Sequence, residues 1–406
     1  MANVSSSNGI EKCPKLRFES RTDGLYSCWE KHTLADYLLP RVEKQVPTDE
    51  APLMAFTAEG GVEPKGDRYD RSYLVKSDSK LYKRTELGDF IYSSNNLDVG
   101  SMGLNKYGTA VISDVYEIFS IKDTAAPSFI DELIHRPNVL HRILQFRQGC
   151  LYGQYRIYAD DFLSVSVLAP SKAEQQRISD FFATLDEKIM LQKKLIEYLK
   201  KYKRGAINNI FNGYTFNGSE RECLLSDVAS FHQGLTYSPS DVSDTGHLVM
   251  RSSNIQNGRL SFKDNVYVKS SISDSLLVRK NDVLMCVRNG SKQLVGKTAV
   301  IDQEYPNMTW GAFMMIIRST LKNTFVYHYL NSDSFYNQVF RDSGTATINQ
   351  ITKGTLNECR LFIPSSEHQE RICRYLDLLE KKLHKEEDFL ASLRLLKKSL
   401  LQQLFI

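Results

Sequence analysis

The chain has no run approaching the roughly 18 to 20 uncharged apolar residues that a membrane span needs. Its opening, MANVSSSNGIEK, also lacks the basic-then-apolar order of a signal peptide. The expected compartment is therefore the cytoplasm, with no membrane partner. Its seven cysteines, at 13, 28, 150, 223, 286, 359 and 373, include no CxxC pair and no His/Cys cluster at zinc-ligand spacing. Neither a disulfide framework nor a zinc site is expected, and the cysteines read as small buried residues or bystanders. An Asn/Asp-Pro-Pro-Tyr/Phe segment and a glycine-rich loop after a strand are both missing, which disfavours an adenine methyltransferase. So is GxxxxGK[ST], which removes an ATP-driven motor. No catalytic centre, metal or cofactor is expected in this chain.

A strong charge of one sign is missing too. The 406 residues carry a net +4, too little to infer long-range attraction to nucleic acid. Residues 18–165 hold 17 Lys and Arg against 22 Asp and Glu, residues 170–223 hold 10 against 7, and residues 224–363 hold 14 against 11. The acidic first stretch argues against phosphate binding there unless its basic residues cluster in space. With 42% apolar residues, a chain of this length buries ordinary cores in two or three domains.

What is there is a repeat. Residues 170–211 align without a gap on residues 364–405, an offset of 194, with ten of 42 positions identical: Pro170, Ser171, Gln175, Arg177, Ile178, Leu185, Lys188, Leu199, Lys203 and Phe211. In the first copy Ile178, Phe182, Leu185, Ile189, Gln192, Ile196, Leu199, Lys203, Ala206 and Ile210 alternate by four and three residues, the seam of a coiled coil. The same slots of the second copy hold Ile372, Leu376, Leu379, Leu383, Glu386, Leu390, Leu393, Lys397, Leu400 and Leu404, so even the polar interruptions coincide. Ser171 with Glu174 and Ser366 with Gln369 suggest capping boxes, each after a proline that stops the preceding strand. The first seam covers about 48 Å at about 1.5 Å per residue. Core packing and homodimerisation are the alternatives to intramolecular pairing. Asp186-Glu187-Lys188, which superficially suggests nuclease carboxylates, becomes Glu380-Lys381-Lys382 in the other copy and reads as a solvated helix face.

The chain is thus expected to comprise a flexible segment (1–17), a globular domain (18–169), a helix (170–211), a linker (212–223), a second globular domain (224–363) and a closing helix (364–406). The two globular stretches echo each other weakly. Leu34-Ala-Asp36 answers Leu225-Ser-Asp227, Leu53-Met-Ala-Phe answers Leu248-Val-Met-Arg251, and Leu87-Gly-Asp89 answers Lys280-Asn-Asp282. Gly108-Thr-Ala-Val111 answers Lys297-Thr-Ala-Val300. Short β-branched runs such as Asp282–Val287, Thr298–Ile301 and Phe313–Ile317, with helical interludes near 127–147 and 325–341, make each stretch mixed α/β of α+β type.

Side chains able to donate to phosphates or base edges are candidate nucleic-acid contacts, because Arg and Lys suit guanine while Asn and Gln suit adenine. Between two strands, Arg288, Asn289, Ser291 and Lys292 stand on a turn whose Asn-Gly tolerates a left-handed backbone, with Lys297 beyond it. The corresponding loop of the first stretch offers Ser94, Asn95 and Asn96, followed by Lys106 and Tyr107. Arg251 with Asn254, Thr309 with Trp310, and Tyr152, Gln154 and Arg156 in the run 148–156 complete the set. Solvated hairpins and ordinary packing are the alternatives to contact.

The order of domain, Ala169-Pro170, Gln175-Gln-Arg-Ile178, Leu185-Asp-Glu-Lys-Ile189, second domain, Phe362-Ile-Pro364 and Gln369-Glu-Arg-Ile372 resembles the specificity subunit of type I restriction-modification enzymes. Residues 279–300 also look like that family's strand-loop-strand pattern. The resemblance covers nearly the whole chain after the first seventeen residues. It implies two target-recognition domains, each reading half of an asymmetric bipartite double-stranded DNA site, and two helices packed as an antiparallel coiled coil that fixes the gap. Half-sites about one helical turn, or about 34 Å, apart would fit the helix length. It further implies as partners two modification subunits that methylate adenine with S-adenosylmethionine, and restriction subunits that use ATP and magnesium. A coiled-coil scaffold without DNA specificity is the alternative.

Overall fold

The computed structural model describes residues 2–3, 13–20, 24–57, 61–64, 80–95, 97, 101–151, 154–212, 221–269, 271–340 and 350–405. The chain divides into two compact units, Met1–Leu191 with Ala391–Ile406, and Gln192–Leu390. Each of the two long helices, Lys172–Phe211 and Ser366–Leu404, therefore contributes to both.

Both units are mixed α/β and contain the same antiparallel sheet. In the first unit, β1 (Leu38–Pro40), β2 (Phe90–Ser93), β3 (Met102–Leu104) and β4 (Tyr116–Ile121) lie in the order β3-β2-β4-β1. In the second, β5 (Ala229–Gln233), β6 (Val283–Cys286), β7 (Thr298–Val300) and β8 (Met314–Ser319) lie in the order β7-β6-β8-β5. The strands β2 and β6 are buried along their whole length, and their unbroken apolar runs place them inside the sheet with a neighbour on each side. A second strand pair, Glu30–Thr33 with Ser166–Ala169 and Arg221–Leu224 with Arg360–Ile363, recurs in each unit. After it the chain turns at Leu34–Asp36 and Leu225–Val228. There the Asp36 and Asp227 carboxylates accept from the backbone N–H of Thr33 and Leu224 at 2.8 and 2.9 Å, which explains the shared Leu-x-Asp.

A second shared motif underlies the Asp89/Asp282 echo. Both aspartates are buried at the start of the central strand and accept from the backbone N–H of Glu86 and Arg279, at 2.7 and 2.8 Å. Each also takes a bidentate arginine, Arg41 on Asp89 and Arg318 on Asp282. The arginines come from different positions, one following β1 and the other within β8.

One expected correspondence is corrected. Ala110–Ile112 joins a separate sheet with Tyr82–Thr85 and Lys44–Gln45, and Val111 forms a parallel bridge with Leu53. The same parallel relation links His247–Met250 to Met308–Trp310, so the counterpart of Val111 lies near Thr309 and not in 297–300. A shared Thr-Ala-Val carries β propensity but no pairing information.

Within the first unit the long helices bury Ile178, Phe182, Leu185 and Ile189 together with Leu393 and Leu404, while Leu400 is half-buried. Within the second they bury Ile196, Leu199, Ile372, Leu376, Leu383 and Leu390, with Ile210 and Leu379 half-buried. The polar seam positions meet. The Gln192 Nε2 donates to the Glu386 carboxylate at 2.7 Å and to its backbone oxygen at 3.1 Å, and 192 and 386 are equivalent under the 194 offset. Lys203 pairs with Glu380 at 2.9 Å and Lys397 with Asp186 at 2.7 Å, each bridge mapping onto the other under that offset. In each unit the helices run antiparallel. Asp186 keeps an exposed side chain, but Glu380 is buried and accepts from the Tyr327 hydroxyl at 2.7 Å, so it is no solvated face.

The helix starts differ from the expected capping boxes. Gln175 donates to Pro170 O at 2.9 Å and accepts from the Ala126 N–H at 3.0 Å. Gln369 donates to Pro364 O at 2.8 Å and accepts from Asn323 at 3.2 Å. These repeated glutamines clamp each helix to its own unit, while Glu174 is taken by Arg17 at 2.6 Å. Arg17 is buried and also donates to Tyr26 O and Ser27 O, both at 2.7 Å, so the end of the segment expected to be flexible is held. Cys13 and Cys28 form a disulfide, against the reading of all cysteines as unpaired: the fold brings their Cα atoms to 5.3 Å although no spacing motif marks them. Cys223, Cys286, Cys359 and Cys373 are buried free thiols. Among the described residues, no helix is long and apolar enough to cross a membrane.

Candidate nucleic-acid interface

The hairpins β2-β3 and β6-β7 occupy the same place in the two sheets, so the loops 94–101 and 287–297 correspond. In the second unit the loop is pinned at its base, where the backbone N–H groups of Val287 and Arg288 both donate to Phe313 O, at 3.0 and 3.2 Å. Arg288 is exposed and lies over the Phe313 ring, 5.3 Å from its centroid. Asn289 donates to the Ser252 hydroxyl at 3.3 Å and accepts from the Ser291 N–H at 3.0 Å. Ser291 and Lys292 are exposed, the Lys292 ammonium standing 5.7 Å from the Phe340 ring centroid, and Lys297 is half-buried. Asn289 and Gly290 do not use the left-handed backbone that they tolerate; within this loop positive φ falls at Gly296, after a helical turn at Lys292–Leu294.

The Asn289–Ser252 bond joins this loop to the segment that begins at Arg251, and Arg251 and Ser252 border a cleft of about 760 Å³. The cleft is lined by Tyr237, Arg251, Asp264, Val266 and Phe313 among others. Arg251 is half-buried and pairs with Asp264 at 2.9 Å. Asn254 is fully buried and serves as a clamp: it accepts from the Arg251 N–H at 2.9 Å and donates to Ser261 O at 2.9 Å and Asp264 O at 3.2 Å. It cannot reach a groove. Thr309 and Trp310 are also corrected, since both are fully buried and the Trp310 indole N–H is spent on His232 O at 3.0 Å. They are adjacent residues of a buried strand, where the polar-aromatic look of the sequence carries no exposure signal. Phe313, 58% exposed, and Asp264 were missed. Phe313 heads a run that reads as a strand, which says nothing of its exposure, and an isolated exposed aspartate carries no periodic signal.

In the first unit the candidates are less gathered. Ser94 is buried and donates to Val115 O at 2.9 Å, so it is structural, and Asn95 is half-buried beside it. Asn96 and Tyr152 lie outside the described residues, as does the side chain of Gln154. Lys106 and Tyr107 are exposed, but Lys106 lines a cavity of about 260 Å³ together with Asp131, Glu132 and Asp186, an acidic setting unsuited to phosphate. Burial pushes the Asp131 carboxyl up, and the neighbouring His135 and Lys106 charges oppose that. Arg156 is exposed, 3.6 Å from Glu117 and over the Tyr158 ring at 4.9 Å. Much of this unit's negative charge is matched locally: Glu117 also takes Lys83 at 2.8 Å, Asp114 takes Lys44 at 2.9 Å and Asp89 takes Arg41.

Residues 221–389 match the family model described as the type I restriction modification DNA specificity domain. Two curated proteins, the type I restriction enzyme StySPI specificity subunit of Salmonella potsdam and the EcoKI specificity subunit of Escherichia coli (strain K12), are each 29% identical over 163 residues. Those residues are 38% of this chain and 35% of each relative, so the chain matches about a third of the length of these relatives. Among solved structures, the type I restriction-modification S subunit from M. genitalium superposes with a TM-score of 0.57 at 17% identity, over 97% of this chain and 99% of that one. A chain from a study of complex assembly and conformational transition of a type I R-M system gives 0.58 at 16% identity, over 93% and 97%. The fold is thus shared with these chains, and residues 221–389 are similar in sequence to type I specificity domains.

Proposed function

We propose that this chain, similar to type I specificity subunits in its second-unit sequence and in its fold, is the DNA-recognition subunit of such an assembly and reads a bipartite, asymmetric duplex target. The observation that carries this reading is the duplication itself. Two units present a hairpin from the same place in the same sheet, and the two hairpins carry different side chains: Arg288, Asn289, Ser291 and Lys292 in one, a polar but not basic loop in the other. Different loops on one scaffold suit two different half-sequences. The two long helices act as the spacer between readers. The chain itself supplies no catalytic group. Two modification subunits using S-adenosylmethionine would methylate adenine, and restriction subunits using ATP and magnesium would cut, all in the cytoplasm.

The test is selection of duplexes from a randomised pool by the full chain together with its methyltransferase partner. One two-part sequence with a fixed gap is the expected result. Retention of duplexes without any sequence preference would leave a coiled-coil scaffold as the better description and refute the recognition reading.

A further inference from the structure

We propose that Arg251 and Asp264 form a preassembled reader of a guanine–cytosine pair in the half-site of the second unit. The inference rests on the DNA-recognition reading above and names what that surface recognises.

The pair borders the open cleft beside the 287–297 hairpin. Its two backbones are fixed by one buried residue: Asn254 accepts from the Arg251 N–H at 2.9 Å and donates to Asp264 O at 3.2 Å. The side chains meet at 2.9 Å, with the arginine 35% and the carboxylate 64% exposed. A guanidinium offers parallel donors that suit guanine O6 and N7, and a carboxylate accepts from the cytosine N4 amino group, so the two together complement both members of one base pair in the major groove.

Phosphate is the obvious competing ligand for two arginines, Arg251 and Arg288, joined through the Asn289–Ser252 bond. The exposed Asp264 carboxylate argues against it, because a like charge beside a phosphate is repulsive, whereas a base edge presents a donor that the carboxylate satisfies. A second observation concerns the resting arginine. Its Nε is buried with no hydrogen-bond partner, a state that carries a desolvation penalty. A small rotation of the guanidinium towards base acceptors would relieve it. Phe313 and Val266 supply apolar walls to the cleft beside the pair.

The experiment is duplex selection from a randomised pool by the full chain with its methyltransferase partner, comparing wild type with D264N and R251K. Wild type should select G·C at one fixed position of one half-site. D264N should lose tenfold or more of that discrimination, within the range of about 1–3 kcal/mol expected of a bidentate base contact. R251K keeps the ion pair but cannot present a planar fork, and it should lose the same preference. The other half-site should be unchanged in both variants, which also reports a folded complex. Undiminished G·C preference in either variant overturns the proposal, as does equal weakening of both half-sites without any changed base preference, which marks a purely structural ion pair. If wild type selects no sequence at all, the recognition reading itself fails and this inference falls with it; a selected wild-type target with unaffected variants condemns this inference alone.

Discussion

Removing the Asp282 carboxylate should unmake the central sheet of the second unit, by an amount the structure bounds. Asp282 is 2% exposed, and Arg318, 19% exposed, donates to it from Nε and Nη2 at 2.8 and 2.7 Å. The same carboxylate also accepts from the Arg279 N–H. Deleting one partner of a buried pair costs about 3–5 kcal/mol. The fifth of Arg318 that remains wet lets water solvate the freed guanidinium in part, which favours the lower end of that range. The orphaned Arg279 N–H contributes about 1 kcal/mol of its own, so Asp282→Ala should cost about 3–4 kcal/mol. For a unit of this size that corresponds to a melting shift on the order of 10 °C. Amide hydrogen exchange read by mass spectrometry localises the effect: peptides covering β6 and β8 should lose protection. Arg318→Leu alone should be at least as damaging, since it strands a buried carboxylate. The double variant Asp282→Ala/Arg318→Leu should recover most of the loss, because two apolar replacements leave no charge to desolvate. A cost below about 1 kcal/mol for Asp282→Ala, or a double variant as unstable as the sum of the singles, would refute the argument.

Three other outcomes are expected. Gln175→Leu removes the acceptor of the Ala126 N–H and the donor to Pro170 O, and should lower the stability of the first unit by about 2–4 kcal/mol in urea titration; an unchanged midpoint would show that the glutamine clamp is dispensable. Burial, and then the nearby Arg259, hold His384 below its ordinary imidazole value. The unfolded chain therefore binds the proton more tightly, and the stability that neutral His384 contributes is present above about pH 6.5 and lost as pH falls through the lower folded value. Melting temperature should drop between pH 7 and 5, and H384Q should flatten that drop; an identical pH profile would exclude His384 as the cause. Arg288→Ala should weaken target binding by about 1–3 kcal/mol if it reads a base, and Lys292→Ala should weaken all duplexes alike and reduce the salt slope by about one if it meets phosphate; unchanged affinity and methylation in both would remove this loop from the interface.

The helices were legible because their information is local and repeated. A 3.5-residue seam can be read from one copy, and the ungapped 194 offset foretells that polar positions recur. It does not foretell that Gln192 meets Glu386, or that Lys203 and Lys397 exchange equivalent partners, since those bonds depend on the antiparallel register. The clamps were illegible for the same reason. Glu174 looks like a capping residue until Arg17, 157 positions away, takes it. Within the candidate interface, exposure was the hidden variable. Thr309, Trp310 and Asn254 have side chains suited to bases but are enclosed by the strand pairing that follows residue 247, and Phe313 looks like core but stands in the cleft.

The two units show which features of this fold resist change. The turn carboxylates Asp36 and Asp227, the buried Asp89 and Asp282, and the glutamines Gln175 and Gln369 keep the same partners or the same kind of partner in both. Asp89 and Asp282 hold buried charge and the two glutamines bond buried backbone oxygens, so substitution there leaves an uncompensated polar atom, whereas Asp36 and Asp227 cap exposed turns. The hairpin tips differ: the side chains of Arg288, Ser291 and Lys292 are exposed. If the hairpin tips read DNA as proposed, a duplicated scaffold with this division can change them in one unit while the buried bonds of the other, and the helix seam, stay as they are. The same division explains why Arg251 and Asp264 stand apart from their neighbours: their backbones belong to the constrained class, through Asn254, and their side chains to the free one. On the proposed reading, side chains held by a fixed backbone but satisfying no buried group are where a change of base preference should arise at least cost to the fold.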